Sequence, residues 1–221
     1  MKNYVAGTNR DIVSFVTENS AVLDVGCADG GFGKLLKEEK NCSVFGIEKN
    51  AANAKKAGKI LDKVFCIDAE KARPKIKEHT IDAIIFADVL EHLKEPEKIL
   101  REYRVFLKTK GRVIVSVPNI ANFFIRKDLL LGRFEYTKEG ILDENHLRFF
   151  TLKTIKKTLH SAGFREIEIK ATRNAFRNVL LQKSFDTIRL KKAYDNADYL
   201  LANAWKSLFA QQFVILAEKV D

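Results

Sequence analysis

The chain has 221 residues, 46% of them hydrophobic and 31% charged, with a formal net charge of +10. That length and balance suit a single globular domain with a sizeable core and exclude fibrous or low-complexity chains. No run approaches the roughly 18 apolar residues of a spanning helix, and residues 1–10 lack the apolar centre of a signal peptide, so the expected location is the cytoplasm. Cys27, Cys42 and Cys66 are odd in number and form no Cys-x-x-Cys pair. They read as free thiols near buried strands, not as a disulfide framework or a thiolate metal site.

In chain order, Ile12, Phe15 and Val16 recur at helical spacing before a first predicted strand, Ala21–Val25. Further strands are expected at Ser43–Glu48, Lys63–Asp68, Ile81–Ala87 and Gly111–Val117, with helices between them. One of those helices carries Ile99, Leu100, Tyr103, Phe106 and Leu107 on its apolar face, with Pro96 near its start. After Pro118 the alternation stops. Ala121–Leu131 reads as a short apolar helix ended by Gly132, and residues 133–145 show no period. Thr151 then caps a helix running to about Ala162, and Gly163 supplies its left-handed stop. Phe164–Ala171 predicts a strand with Ile167 and Ile169 on one face, and Leu208–Lys219 the last strand. The stretch between them holds Ala197, Leu201, Ala204, Trp205 and Leu208 at amphipathic helical spacing. It is expected to pack on the sheet edge, on a substrate lid or on a second subunit, which makes a homodimer through this insertion an expectation.

The positive excess leans toward the C-terminal half. Lys170, Arg173, Arg177, Lys183, Arg189, Lys191 and Lys192 face only Asp186 within one stretch. It reads as a solvated helical face, with a nucleic-acid patch as the alternative.

The turn Val22-Leu-Asp-Val-Gly-Cys-Ala-Asp-Gly-Gly-Phe-Gly33 follows the first strand. A dinucleotide fingerprint needs Gly-x-Gly-x-x-Gly so that the backbone can approach a pyrophosphate. Ala28 and Leu36 break that pattern on either count. Asp24, Glu48, Asp68 and Asp88 fall in or just after four successive strands, whose ends share one edge of a doubly wound sheet. Carboxylates there repel a pyrophosphate and favour a ligand with hydroxyls, an exocyclic amine and positive charge. S-adenosylmethionine has all three.

Taken together, Val22–Gly30, Gly46–Glu48, Cys66–Glu70, Ile81–Leu93 and Lys110–Asn119 resemble the class I S-adenosylmethionine-dependent methyltransferases. The resemblance implies an α/β fold: a doubly wound, seven-stranded Rossmann-like sheet, mostly parallel with an antiparallel last strand and a helical insertion between the last two strands. One domain over 1–221 is expected, with 119–150 as an acceptor-side lid and 171–207 as the insertion. By the same resemblance Asp24 and the loop Gly26, Cys27, Ala28 and Gly30 hold the methionine part of the cofactor. Glu48, with Lys49 beside it, takes the ribose hydroxyls, Asp68 and Ala69 meet the adenine, and Asp88 closes the pocket.

Gly132–Thr151 resembles the Leu-Asp-x-x-His-Leu-Arg-Phe-Phe-Thr segment of a methyltransferase subfamily acting on small molecules and glycans. Methyl transfer to a hydroxyl or protonated amine needs a proton acceptor. His146 is the candidate base, with Asp143 at i−3 to orient it if the segment is helical. His92 is the second candidate and a substrate contact, together with Phe124, Arg133, Tyr136 and Arg148. Of Phe149 and Phe150, one is expected in the core and the other toward the pocket. Glu91 and His92 are adjacent and make a poor metal pair without distant ligands, so no metal is expected. The expected reaction is methyl transfer to a hydroxyl, carboxyl or amine of a small-molecule or sugar-containing acceptor. A regulatory cofactor-binding partner akin to proteins of methionine biosynthesis, and an RNA methyltransferase using the 170–192 basic stretch, are the alternatives. The chain lacks an Asn-Pro-Pro-aromatic or Asp-Pro-Pro-aromatic tetrad after the fourth strand.

Overall fold

The computed structural model describes residues 10–172, 200 and 202–220. Seven strands form one sheet: β1 Ala21–Val25, β2 Ser43–Ile47, β3 Lys63–Phe65, β4 Ile81–Ala87, β5 Leu107–Pro118, β6 Phe164–Ala171 and β7 Gln212–Lys219. Their spatial order is β3-β2-β1-β4-β5-β7-β6. β3 to β5 are parallel, and β7 runs antiparallel to both of its neighbours. The order reverses between β1 and β4, so their carboxyl ends open a crevice there.

Alternation along the strands divides the core between two faces. Leu23, Ile84, Val113, Val115, Phe213 and Ile215 pack on one face with Ile99, Leu100 and Tyr103 of helix α3 (Pro96–Tyr103) and Ile155 and Leu159 of helix α5 (Leu152–Ser161). Val22, Val44, Ile85, Ile114, Val214 and Leu216 pack on the other with Leu36 of helix α1 (Gly31–Lys40) and with Ile12, Phe15 and Val16. Full burial of each such side chain contributes about 1.5–3 kcal/mol, so the sheet is held from both sides. Helix α2 (Ala51–Ala57) completes the β2–β3 crossover, capped by the Asn50 side chain, which accepts the Asn53 N–H.

Thr151 caps α5 through a box shared with Thr154, and Gly163 takes φ 83 beyond it, as the composition there predicts. The apolar helix after β5 is shorter than expected, α4 at Phe123–Leu130, because the Asn122 side chain accepts the Phe124 N–H and starts it late. β7 begins at Gln212, and the residues expected to open it form a helical turn, α6 (Lys206–Phe209). Ile167 does not share a buried face with Ile169. The pairing of β6 slips between Glu166 and Glu168, leaving Ile167 50% exposed as the extra residue of a bulge. Cys27 and Cys42 are buried as expected, but Cys66 is exposed. Of the C-terminal insertion, residues 200 and 202–204 are helical and Trp205 is exposed. Ala197, Leu201 and the basic residues from Arg173 to Lys192 lie outside the described residues, as does most of the insertion through which a dimer is expected. Lys170 itself donates to Ser14 Oγ at 2.6 Å and lies over the Phe15 ring. Among the described residues no helix is long and apolar enough to cross a membrane.

Candidate active site

The turn after β1 is built by backbone constraint. Gly26 takes φ 78, and a Cβ there would meet Val89 Cγ2 at 2.8 Å, so any side chain both strains the backbone and strikes the loop after β4. The N–H groups of Gly26 and Cys27 donate to the Ile47 carbonyl. Ala28 then adopts φ 48, an unusual conformation for a residue with a Cβ. It is held by its N–H, which donates to Glu48 Oε2 at 3.0 Å, while Glu48 Oε1 accepts the Asn50 N–H at 2.6 Å. The Glu48 carboxylate is therefore fixed in place, 8% exposed, and each oxygen keeps a second lone pair for a ligand hydroxyl. Gly30 has another task, since a Cβ there would come 2.9 Å from Ala57 Cα. Its absence lets the turn pack on α2.

Asp24, on β1 beneath this turn, is 2% exposed, and its Oδ2 has no hydrogen-bond partner among the described residues. Burial, then the nearby Glu48 charge, raises its pKa to about 7. The neighbouring Cys27 thiol is pushed up to about 12 by burial and by both carboxylates, so it is inert as a nucleophile. Asp88 also has a positive φ, 54. Its Oδ1 accepts from Ser116 Oγ at 2.9 Å and from the Gln212 side chain. Burial raises its pKa, and these two hydrogen bonds oppose the rise. Asp68 accepts the Glu70 N–H at 3.0 Å and so shapes the loop after β3.

Gly26, Glu48, Lys49, Asp68, Ala69 and Asp88 line one cavity of ≈ 460 Å³, together with His92, Leu93 and Asn145. Its volume lies in the usual range for a small-ligand site. Asp24, Cys27, Ala28 and Gly30 are not on its wall. Asp24 lies on β1 ahead of the turn, and Cys27, Ala28 and Gly30 are part of the turn itself.

The segment 119–150 leaves and rejoins the sheet at one point. Asn119 and Phe150 form a parallel bridge, the Ile120 N–H donates to the Phe150 carbonyl, and the buried Asn119 and Asn122 side chains both donate to the Ala210 carbonyl. Phe150 is 5% exposed and belongs to the core, as expected of one of the pair, whereas Phe149 stands near His146 and does not line the cavity. The returning segment is stitched to the 3-10 turn Leu90–His92: the Leu147 and Arg148 N–H groups donate to the Glu91 carbonyl, and the Arg148 guanidinium donates to the Lys94 carbonyl. Those bonds bring the His92 and His146 rings to 4.9 Å between centroids.

Several acceptor-side expectations change here. The segment around His146 is a loop, so Asp143 does not orient the imidazole. Its Oδ1 accepts from the Asn145 N–H and amide, while His146 Nδ1 donates to the Ile141 carbonyl at 3.1 Å. Phe124, Arg133, Tyr136, Asp143 and Arg148 do not line the cavity, and His146 stands behind its wall, against His92. Arg148 is taken up by Lys94, Tyr136 is 58% exposed, and Arg133 lines a separate open cleft with Gln211. His92 does line it. Three residues of the site have no local signal: Asn145 in the cavity wall, Ser116 and Gln212 behind Asp88. Glu91 could have been suspected from its place after β4. The expectation of no metal rested on Glu91 and His92 lacking a distant partner, and His146 stands beside them.

Residues 1–169 match a family described as "Methyltransferase domain". The chain belongs to this methyltransferase family. The methyltransferase is 25% identical over 187 residues to an uncharacterized protein of Methanocaldococcus jannaschii, covering 83% of this chain and 81% of that one. It is 24% identical to the wheat (Triticum aestivum) phosphoethanolamine N-methyltransferase 1 over 178 residues, 78% of this chain but 34% of that protein. The fold is shared with a SAM-dependent methyltransferase from Archaeoglobus fulgidus, at TM-score 0.69 and 18% identity over 99% of this chain and 95% of that one. The methyl donor is S-adenosylmethionine, and the site suits it: a buried, unpartnered carboxylate oxygen at Asp24, an anchored Glu48 at the end of β2, and carboxylates around a nucleoside-sized cavity.

Proposed function

We propose that the methyltransferase alkylates a hydroxyl, carboxyl or amine of a small-molecule or sugar-containing acceptor that enters the cavity beside His92 and Asn145. The observation that carries this reading is one cavity lined both by Glu48 and Asp68 and by His92 and Asn145, the last from the 119–150 segment. In this reading Glu48 takes the ribose hydroxyls, Asp68 with Ala69 the adenine, and Asp24, ahead of the Gly26 turn, balances the charge of the methionine ammonium. S-adenosylmethionine, when bound, supplies an activated methyl group on a sulfonium. The protein contributes alignment of the acceptor heteroatom with that methyl, exclusion of water and removal of the acceptor's proton.

His146 is the proposed base. Its Nδ1–H is committed to the Ile141 carbonyl, which leaves the lone pair on Nε2. Burial, and then the neighbouring His92, lower its pKa, so it is neutral and able to accept a proton at pH 7. The wheat relative is a methyltransferase of phosphoethanolamine by name, which supports the amine form of the reading. The 119–150 segment serves as the lid in this proposal, tied at its ends by the Asn119–Phe150 bridge.

The test is transfer of label from methyl-labelled S-adenosylmethionine into separated metabolite, RNA and protein fractions of the source cells. Label in the metabolite fraction, reduced at least 100-fold with His146→Ala, is expected from the usual contribution of general-base catalysis. Label confined to RNA or protein overturns the reading.

A further inference from the structure

We propose that Glu91, His92 and His146 form a binding site for one divalent metal ion of the zinc class. One potential ligand atom from each of these residues lies within 4.8 Å of the other two. Tetrahedral zinc ligands at about 2.0–2.2 Å from the metal stand roughly 3.3–3.6 Å apart, so small torsional movements suffice to close the set.

Two further observations point to a cation. Glu91 is 1% exposed, and neither of its carboxylate oxygens has a hydrogen-bond partner among the described residues. A buried carboxyl group left in that state is costly, and a cation would satisfy it. Both imidazoles also have the arrangement of metal ligands: His92 Nδ1 is bonded to the Asn145 carbonyl and His146 Nδ1 to the Ile141 carbonyl, each at 3.1 Å. A carbonyl can only accept, so each ring is held with its proton on Nδ1 and its lone pair on Nε2, the usual outer-shell support of a ligating histidine. Asp88 and Asp143 add negative potential at Glu91. Two imidazoles and one carboxylate select zinc, cobalt, nickel or iron over magnesium or calcium.

Because His92 also lines the cavity, an ion held here keeps a coordination position for the acceptor's oxygen or nitrogen and lowers its pKa, so in the metal-bound form the ion replaces His146 as the means of deprotonation, the Nε2 lone pair being spent on coordination. That use rests on the methyl-transfer reading, whereas metal binding does not.

The test is titration of chelator-stripped full-length protein with Co2+, read by its visible absorption, and with Zn2+ in competition. One equivalent is expected, and binding should weaken by more than the roughly 10–100-fold typical of outer-shell losses in Glu91→Gln, His92→Ala and His146→Gln. His160→Ala and Cys66→Ser, which remove other exposed donors, should bind as the wild type. Far-UV circular dichroism and the urea unfolding midpoint of each variant report whether it is folded, and three separate ligand variants guard against loss of any one. No saturable Co2+ binding, or binding unchanged in the three folded variants, overturns the proposal. Absence of methyl transfer by protein that binds Co2+ in this way counts against the functional reading and not against the metal site.

Discussion

The Ala28 N–H donates to Glu48 Oε2 at 3.0 Å, which ties the glycine turn after β1 to the end of β2. Because the Asn50 N–H occupies the other oxygen, Glu48 serves two backbone donors at once. Replacing it by Gln turns one acceptor into an NH2 group and leaves a donor facing a donor. Glu48→Gln is expected to destabilise the fold by about 1–3 kcal/mol, measured by urea unfolding. Unchanged stability would mean that the carboxylate does not organise the turn.

Asp24 gives the site a pH dependence of definite sign. Its pKa, about 7 in the fold against an ordinary 3.8, means that the folded protein holds a proton through this window that the unfolded chain has lost. Stability attributable to Asp24 is thus present below about pH 4 and falls as pH rises to 7. Asp24→Asn removes that loss and should raise stability at pH 8 by roughly 4 kcal/mol, at about 1.4 kcal/mol per pKa unit. The cofactor's ammonium favours the charged carboxylate, so S-adenosylmethionine binding should strengthen from pH 6 to 8 with release of a proton. Calorimetry in buffers of different ionisation enthalpy measures that proton, and a flat profile would exclude Asp24 as its source.

At Gly26 conformation and contact can be separated. Gly26→Ala meets both the positive φ and Val89 Cγ2, and a loss of at least about 2 kcal/mol is expected. In a Val89→Ala background the contact is gone and only the backbone strain remains, so the two substitutions should couple favourably in a double-mutant cycle. Simple additivity would show that Val89 is not the obstacle.

Much of the fold was legible in the residues, and the reasons are local. β1 and β4 follow the predicted bounds because they are β-branched runs closed by turn residues, and α5 because Thr151 and Gly163 cap it chemically. Glu48, Asp68 and Asp88 reach one cavity because strand ends in a doubly wound sheet share an edge. The acceptor side was less readable. Whether Tyr136 or Asn145 faces the cavity depends on how residues 131–148 fold back onto Leu90–His92, through backbone bonds to Glu91 and Lys94 that carry no side-chain signature. The exposure of Ile167 likewise follows from a slip in pairing with β7, invisible in an alternating pattern.

The anchor of the 119–150 segment is testable at Asn119, whose buried amide donates to the Ala210 carbonyl at 2.9 Å while its Oδ1 accepts the Ala121 N–H. Asn119→Ala unpairs groups at the root of the loop, and a loss of about 1–3 kcal/mol is expected, with faster proteolysis within 131–140 than in the wild type. Equal cleavage rates would show that the loop is held from elsewhere.

Isothermal titration of S-adenosylmethionine into the wild type and Glu48→Ala tests the cofactor assignment most directly. One equivalent should bind the wild type, and affinity should drop by roughly 10–150-fold in the variant, from about 1.5–3 kcal/mol for hydrogen bonds to a charged group. Equal affinity in the two folded proteins would place the cofactor away from the end of β2 and contradict the site described above.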